Sequence, residues 1–369
     1  MNADVVVVGG GVIGCAVARH AARVGLRVVV VERATPGMEA SHAAAGMLSP
    51  LAEADSPGPF LDLLLRARAM YPAFAAALAE ETGIDVGYGD AGTLYLVLRD
   101  EDEAELEHRF AWQSAAGLSV ERLDADAVRA LEPAVSPATR WALRFPGDHQ
   151  ADNRALGRAL WGAAARAGVD FRLGADAVAL LRDGDRVAGV MLAGGERIDA
   201  GAVVLAGGSW AGRMEGLPRP LPVEPVHGQI LALESIPPLF RHVIDSPRCY
   251  LVPRTEGRVL AGATVEHLGF RKTVTPRGLL GLLAGAIEIA PALADAAVVE
   301  TWAGLRPGTP DGFPILGPDP DLAGLHYATG HFRNGILLAP LTGELVGEGL
   351  LGRVDGADAM AGFGVERFG

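Results

Sequence analysis

The chain has 369 residues, half of them hydrophobic, and its 45 acidic against 32 basic side chains give a formal net charge of -13. An acidic chain without a basic stripe is not expected to bind nucleic acid. No apolar run approaches the ~18 residues that span a bilayer, so no direct membrane binding is expected. Two unpaired cysteines and nine scattered histidines indicate a cytoplasmic protein without disulfides or a metal site.

The first segment predicts a dinucleotide-binding βαβ unit. An apolar strand runs into Gly9-x-Gly11-x-x-Gly14, an alanine-rich helix follows, and a second strand ends at Glu32. The first glycine allows a tight turn, the second lets the backbone approach a pyrophosphate, and the third lets the helix pack on the strand. The helix N-terminus attracts phosphates, and Glu32 lies where a carboxylate can bind both hydroxyls of an adenosine ribose.

The remaining chain alternates between helix-rich and strand-rich segments, which indicates one domain interrupted by another. A cofactor domain is predicted over 1–83, 150–217 and 303–369, and a second domain over 84–149 and 218–302. In chain order the predicted elements are strand 5–8, helix 15–24, strand 26–31, a loop over 33–46, helix 59–81, strand 93–98, helices 101–116 and 125–131, helix 153–167 capped by Asn153, strands 177–181 and 202–206, a helix after Gly208, strand 249–254, helix 278–289, a proline- and glycine-rich loop over 302–317, strand 325–329 and helix 334–351.

The GxGxxG motif with a terminal acid serves both NAD and FAD, and two later segments favour FAD. The segment 203–212 looks like the strand and glycine turn that FAD proteins of this type carry before their second domain. The segment 330–340 places a glycine-flanked turn at the start of the last helix. Helix N-terminal amides suit the edge of an isoalloxazine ring that gains negative charge on reduction.

Three segments, Ala43–Leu48, Trp302–Gly312 and Gly330–Pro340, carry a resemblance to a known family. The chain resembles glycine oxidases of the thiamine-pathway type, within the D-amino-acid oxidase and sarcosine oxidase group of flavoproteins. The resemblance implies an α/β fold with a Rossmann-like FAD domain and an α+β substrate domain containing a mixed antiparallel sheet. It also implies homo-oligomers and oxidation of glycine or a small amine. Members with covalent flavin use a cysteine near the C-terminal loop, which has none here, so noncovalent FAD is expected.

The predicted catalytic residues are Arg306, Tyr250 and Arg333. The guanidinium of Arg306 matches a substrate α-carboxylate bidentately, as the arginine of this motif does in the family. Tyr250 stands at the family's substrate-contacting tyrosine and can donate to the same carboxylate, and Arg333 adds a second cation. The structural alternatives are an arginine that holds its own loop, a strand tyrosine with an ordinary partner, and an exposed arginine at a helix start.

The predicted substrate pocket contains Met47 beside the ring, Glu53 near the substrate amine, and Arg248 at the entrance on the same strand face as Tyr250. A core methionine, an exposed carboxylate and a solvated arginine are the alternatives. His149, His227 and the side chain of His331 are interpreted as structural. The predicted FAD contacts are Gly9, Gly11, Val12, Ile13, Gly14, Glu32, Arg33, Ser41, Ala44, Ala45, Gly46, Met47, Val178, Gly207, His331, Arg333, Asn334, Gly335 and Ile336.

The favoured function is FAD-dependent oxidation of glycine or another small amino acid to the imine, with O₂ reduced to H₂O₂. The imine then hydrolyses to a 2-oxo acid and ammonia, or enters thiamine thiazole synthesis. The alternative is a D-amino-acid dehydrogenase of the same fold that passes electrons to a quinone or another carrier. A subunit that binds FAD without turnover is disfavoured by Arg306 and Tyr250. Sarcosine, D-alanine and D-proline stay open as substrates.

Overall fold

The computed structural model describes residues 3–353 and 360–369. The predicted βαβ unit is present, with β1 and β2 paired in parallel. The strands are β1 Ala3–Val8, β2 Val28–Glu32, β3 Met47–Leu48, β4 Thr93–Val97, β5 Glu121–Asp124, β6 Trp141–Phe145, β7 His149–Gln150, β8 Asp170–Leu173, β9 Ala177–Asp183, β10 Arg186–Leu192, β11 Arg197–Leu205, β12 Glu224–Glu234, β13 Val243–Asp245, β14 Tyr250–Pro253, β15 Arg258–Gly262, β16 Val298–Gly308, β17 Ile315–Pro318 and β18 Leu325–Thr329. The helices are α1 Val12–Arg23, α2 Ala40–Ala43, α3 Pro50–Glu53, α4 Pro59–Thr82, α5 Asp100–Ala115, α6 Ala125–Leu131, α7 Asn153–Arg166, α8 Pro276–Ile289 and α9 Gly335–Leu350.

The first sheet has the order β17-β18-β11-β1-β2-β8, and the β9–β10 hairpin extends it from β11. Its central strands run parallel, and only β17 pairs antiparallel along the main path. Helices α1, α4, α7 and α9 share one core with β1 and β2. Because α1 presents small residues such as Ala18 and Ala21, which are fully buried, the helices approach the strands closely. This arrangement places the N-termini of α1 and α9 at one edge of the sheet.

The second sheet has the order β16-β12-β15-β14-β13-β4-β6-β5. Side chains alternate between its two faces, as the pleat requires. Leu231 and Leu251 pack with α8 in one core. Ile230, next to Leu231 on β12, points to the opposite face. With Leu260 of β15 it packs against Ala45 of the loop after β2. One face of this sheet is therefore covered by α8, and the other packs against the loop after β2.

The predicted loop over 302–317 is wrong in its first half. Residues up to Gly308 form β16, which pairs antiparallel with β12 along most of its length. Gly304 and Pro307 resemble loop signals, but Gly304 has a packing role, because a Cβ there would collide with the Cβ of Ala43. Arg306 consequently lies on a rigid strand. The predicted domain boundary at residue 303 falls inside β16, and the domain division stays a prediction.

Three local predictions also need correction. The N-cap of α7 is Asp152, whose carboxylate accepts from the backbone N–H groups of the helix at 2.8 Å, whereas Asn153 is the first helical residue. The predicted loop over 33–46 contains the short helix α2. The segment after Gly207 is a single 3₁₀ stretch, Gly208–Arg213, rather than an α-helix.

Two absences hold for residues 3–353 and 360–369. No helix there is long and apolar enough to cross a membrane. No group of three His, Cys, Asp or Glu side chains there comes together in a way that could hold a metal ion. The cysteines, Cys15 and Cys249, are free thiols, and burial raises the pKa of each to about 12.

Candidate active site

A cavity of about 770 Å³ lies between the two sheets and is lined by residues of both. With one exception, Gly14, every residue predicted to bind cofactor or substrate lines it. Those residues are Gly9, Gly11, Val12, Ile13, Glu32, Arg33, Ser41, Ala44, Ala45, Gly46, Met47, Glu53, Val178, Gly207, Arg248, Tyr250, Arg306, His331, Arg333, Asn334, Gly335 and Ile336. Gly14 stands behind the wall, where a Cβ would collide with the carbonyl oxygen of Gly9. It therefore acts through the packing of α1 on β1.

The turn between β1 and α1 forms a cradle of backbone groups. Gly9 has φ +106°, and a Cβ there would lie 2.5 Å from the carbonyl oxygen of Ala206. Only glycine fits both the conformation and the space. Gly11 follows at the N-cap of α1, and the hydroxyl of Ser41 accepts from the N–H of Val12 at 3.1 Å. The remaining amides of the first helical turn have no intrahelical partner, so they suit an anionic group.

Glu32 ends β2 at the side of this cradle. Its carboxylate accepts from the N–H of Gly10 at 2.7 Å and from the N–H of Ala34 at 2.9 Å. Each oxygen keeps a second lone pair for a ligand hydroxyl. The next residue, Arg33, pairs with Glu39 at 2.8 Å and stacks over the ring of Trp210 at 3.7 Å. Sequence reasoning missed Trp210, because this stacking joins segments that are far apart in the chain.

The loop over 40–46 is held in place from three sides. Arg254 donates to the carbonyl of Ala45 at 2.6 Å, and Trp302 donates to the carbonyl of Ala43 at 3.1 Å. Asn153 donates to the carbonyl oxygens of residues 41 and 42 at 2.8 and 3.0 Å. These three residues were missed as site residues, although Arg254 closes the strand that contains Tyr250. They fix the backbone of the segment predicted to run beside the flavin ring.

The turn before α9 completes the cofactor side of the cavity. Phe332 adopts φ 46°, which turns the chain so that the N-terminus of α9 faces the cavity. The imidazole of His331 is turned away and contacts the hydroxyl of Thr342 at 3.0 Å. Burial lowers the pKa of His331 to about 3, so this ring is neutral. His331 can therefore reach a cofactor only through its backbone, whereas the first amides of α9 are available at the cavity wall.

Arg306 and Tyr250 reach toward each other over two glycines. A Cβ at Gly228 of β12 would collide with the guanidinium of Arg306. A Cβ at Gly262 of β15 would lie 2.5 Å from the hydroxyl of Tyr250. β12 and β15 lie between β16 and β14, so the two side chains extend toward each other from opposite directions. They pass over Gly228 and Gly262, which together are called the glycine floor below. The arrangement presents a guanidinium fork and a phenol to one small ligand.

The protonation states of this pair suit an anion. Burial raises the pKa of Tyr250 to about 12, so its hydroxyl remains a donor at neutral pH. Burial also lowers the pKa of Arg306, but a guanidinium stays charged in proteins. The carbonyl of Thr264 accepts from Arg306 Nη1 at 3.1 Å and orients the fork. A carboxylate is the ligand that matches these donors.

Arg333 and Glu53 form an ion pair in the wall of the cavity. Arg333 Nη1 donates to Glu53 Oε2 at 3.0 Å, which joins the end of α3 to the turn before α9. Glu53 is therefore a paired cavity residue and not an exposed loop carboxylate, and its role near a substrate amine stays a prediction. Met47 is half-buried in β3 and packs near Ile230 and Tyr250.

Arg248 borders the cavity, as one of its two sequence-based interpretations predicts, but its guanidinium is bound by carboxylates. It precedes β14, and its guanidinium forms two hydrogen bonds of 2.7 Å with the carboxylate of Asp102. A third bond of 3.0 Å reaches Glu288. Although Arg248 borders the cavity, its charge is committed to this ion-pair cluster, so it is not available to a substrate.

Arg248→Met is expected to lower the free energy of unfolding at pH 7 by about 2–4 kcal/mol, because it leaves the nearly buried Asp102 without its cation. The hydrogen bond from Arg248 holds the pKa of Asp102 below its ordinary value. The stabilisation is therefore present above the ordinary carboxyl pKa and is lost as pH falls through the lowered pKa of the folded state.

Urea unfolding of Arg248→Met at pH 7 and near pH 3 measures this difference. Arg129→Met is the matched control, since its partner Asp126 is fully exposed and such a pair is worth ~0–1 kcal/mol. Equal losses of stability in the two variants at pH 7 would contradict the assignment.

Comparison with known proteins gives the family. A family described as FAD dependent oxidoreductase (DAO) matches residues 4–348. The chain belongs to this family. Membership agrees with the cavity, because the Gly9 turn, Glu32 and the N-terminus of α9 line it together. The protein is therefore an FAD-dependent oxidoreductase, and this cavity is its candidate FAD site.

Individual members of the FAD-dependent oxidoreductase family resemble the chain over nearly its whole length. It is 36% identical over 367 residues to a glycine oxidase of Geobacillus kaustophilus, covering 99% of this chain and 97% of the relative. The crystal structure of glycine oxidase from Geobacillus kaustophilus superposes with a TM-score of 0.91 over 95% of both chains, at 36% identity. The bifunctional protein ThiO/ThiG of Trichormus variabilis is 38% identical over 352 residues, 94% of this chain. The chain spans about half the length of that relative, 52%.

The residues present fit FAD. Gly9 and Gly11 leave space for a diphosphate at the N-terminus of α1. The carboxylate of Glu32 can accept hydrogen bonds from ribose hydroxyls. Gly46 has φ +77°, and a Cβ there would collide with the carbonyl of Ala151, so only glycine allows the close turn of the adjoining loop. The N-terminus of α9 supplies positive partial charge at the far end of the cavity. No cysteine lies in the turn before α9.

Proposed function

We propose that this protein oxidises glycine, or a similarly small amino acid, to the corresponding imine. The observation that carries the proposal is the convergence of Arg306 and Tyr250 over Gly228 and Gly262, inside the cavity whose other end fits FAD. The two glycines make room for these side chains against the sheet. Two relatives support the proposal by name. One, called glycine oxidase, matches 99% of this chain, and the other, called ThiO/ThiG, matches 94%.

The protein's own part in the reaction is positioning. Arg306 binds the α-carboxylate through its fork, and Tyr250 donates a further hydrogen bond to it. Thr264 holds Arg306 in orientation, and Met47 with Ile230 excludes water from the apolar side of the substrate. Bound FAD supplies the two-electron acceptor and passes the electrons to O₂, which becomes H₂O₂. The chain's own residues therefore contribute by orienting the amino acid and excluding water.

We propose further that the protein is cytoplasmic, acts as a homo-oligomer, and supplies its imine to thiamine thiazole synthesis. The name of the bifunctional relative, ThiO/ThiG, supports the last point, since that chain carries a second portion beyond the region matched here. Hydrolysis of imine that is not consumed would give glyoxylate and ammonia.

Anaerobic mixing of the FAD-loaded protein with glycine, sarcosine, D-alanine or D-proline tests the proposal. Glycine is expected to bleach the flavin absorbance most efficiently, and admission of air is expected to restore it rapidly. Bleaching that persists in air would instead indicate a dehydrogenase that needs another acceptor. No bleaching by any of the four would contradict amino-acid oxidation.

Gly228→Ala tests the glycine floor directly. The added methyl group would displace the Arg306 guanidinium, so the dissociation constant for glycine in anaerobic flavin reduction is expected to rise by about tenfold or more. Gly201→Ala is the matched control in a strand, because its nearest contact, the carbonyl of Asp4, lies at an ordinary 3.6 Å. Unchanged glycine affinity in Gly228→Ala would show that Arg306 does not bind the substrate in this position.

A further inference from the structure

Asp245 ends β13 on the face of the second sheet that lines the cavity. Ile244 pairs with Leu251 in antiparallel register, so Asp245 lies opposite Tyr250. On its other side Asp245 pairs with Tyr95 of β4. Directly opposed residues on one face of a sheet have Cβ atoms roughly 5 Å apart. Asp245 therefore borders Tyr250 from β13, on the side opposite to Gly262 of β15, over which the phenol hydroxyl extends.

The other carboxylates at this end of the cavity have cationic partners. Glu53 pairs with Arg333 at 3.0 Å. Asp55 and Glu105 pair with Arg109 at 3.0 and 3.5 Å. Within residues 3–353 and 360–369, Asp245 forms no ion pair, and its carboxylate accepts one hydrogen bond, from the N–H of Ser246 at 2.8 Å. A half-buried carboxylate with free lone pairs thus faces the space beside Tyr250.

The groups around Asp245 come from four elements and the turn before α9. Glu53 of α3 repels its negative charge, whereas Arg333 before α9 and Arg109 of α5 attract it. Tyr95 and Tyr250 stand on the neighbouring strands. Burial, reinforced by Glu53, raises the pKa of Asp245 to about 7. A cation placed next to Asp245 would favour its ionised form and satisfy its free lone pairs.

We propose that Asp245 binds the ammonium group of the substrate and makes the site specific for amino acids over hydroxy acids. The inference rests on the proposed function. Arg306 and Tyr250 hold one end of the substrate, and Asp245, on the far side of Tyr250, receives the other. A charge-assisted hydrogen bond of this kind distinguishes glycine from glycolate, which has the same carboxylate but carries a hydroxyl in place of the ammonium group.

The test compares glycine with glycolate in Asp245→Asn, using FAD-loaded protein. The dissociation constant for glycine, from anaerobic flavin reduction, is expected to rise by about 10- to 100-fold. The dissociation constant for glycolate, from its perturbation of the flavin spectrum, is expected to change less than about twofold, because its carboxylate still meets Arg306 and Tyr250. Asp55→Asn is the control, since that carboxylate is 89% exposed at the cavity mouth.

The pH dependence gives a second readout. As pH rises through about 7, Asp245 ionises, so wild-type affinity for glycine is expected to increase over that range. The increase is expected to be absent in Asp245→Asn and present in Asp55→Asn.

Two results would overturn the inference. One is unchanged glycine affinity in Asp245→Asn, and the other is an equal loss for glycine and glycolate, which would indicate a structural role. Failure of the proposed function gives a different result from these two, because glycine would not reduce the flavin of the wild-type protein. That result would overturn this inference as well.

Discussion

Arg306→Leu is expected to slow flavin reduction by glycine strongly while FAD stays bound. The substitution removes the charged fork from a site where its partners, Tyr250 and the carbonyl of Thr264, cannot replace it. Loss of a desolvated, charged contact typically costs 2–5 kcal/mol, which corresponds to a fall of roughly 30- to 5,000-fold in the second-order rate constant for reduction. Anaerobic stopped-flow reduction over a range of glycine concentrations measures it.

Two variants make this result specific. Arg258→Leu removes another arginine of the same sheet, one that pairs with Glu256 and does not line the cavity, and it should reduce like the wild type. Arg306→Lys keeps the charge but not the fork, so it should be intermediate. If glycine reduced Arg306→Leu as fast as it reduces the wild type, Arg306 would not bind the substrate. Its role would then be to hold its own segment of the chain.

Gly14→Ala is expected to prevent stable FAD binding. The new Cβ would collide with the carbonyl oxygen of Gly9, and the rigid contact of α1 with β1 cannot open without moving the cradle. Overpacking of this kind costs about 1–3 kcal/mol, occasionally more, and here it also shifts the helix N-terminus away from the diphosphate position. The FAD content of purified protein and its dissociation constant by flavin fluorescence are the measurements.

Gly157→Ala is the matched control for a helix glycine. Gly157 lies in α7, and a Cβ there would meet no atom within 4 Å. This variant should bind FAD normally and gain about 0.5–1 kcal/mol of stability, since alanine favours a helix more than glycine does. Normal FAD affinity in Gly14→Ala would show that this end of the cradle tolerates movement.

The sequence predicts the parts of this molecule that are encoded locally. The turn over Gly9, Gly11 and Gly14 combines a strand, a glycine spacing and a helix within one short segment, so its role follows without knowledge of the rest of the fold. Arg306 and Tyr250 were found through family motifs. Their positions in one cavity agree with that prediction, although their contacts with a substrate stay a prediction.

Other site features depend on strand register, which one sequence does not reveal. Gly228 and Gly262 matter because they lie beneath side chains from neighbouring strands. Asp245 stands out only when the partners of every neighbouring carboxylate are known. The ion pairing of Arg248 could not be predicted for the same reason, since its partner Asp102 is 146 residues away. The error over 302–308 arose because glycine and proline in a strand that packs tightly look like loop residues.

The most direct test of amino-acid oxidation is to quantify the products of aerobic turnover with glycine as sole substrate. The FAD-loaded protein is expected to consume O₂ and to release glyoxylate, ammonia and H₂O₂ in equal amounts, and Arg306→Leu should release almost none. Glycine turnover without H₂O₂ in the presence of an added electron acceptor would contradict the oxidase assignment. No glyoxylate under any condition would contradict glycine oxidation itself.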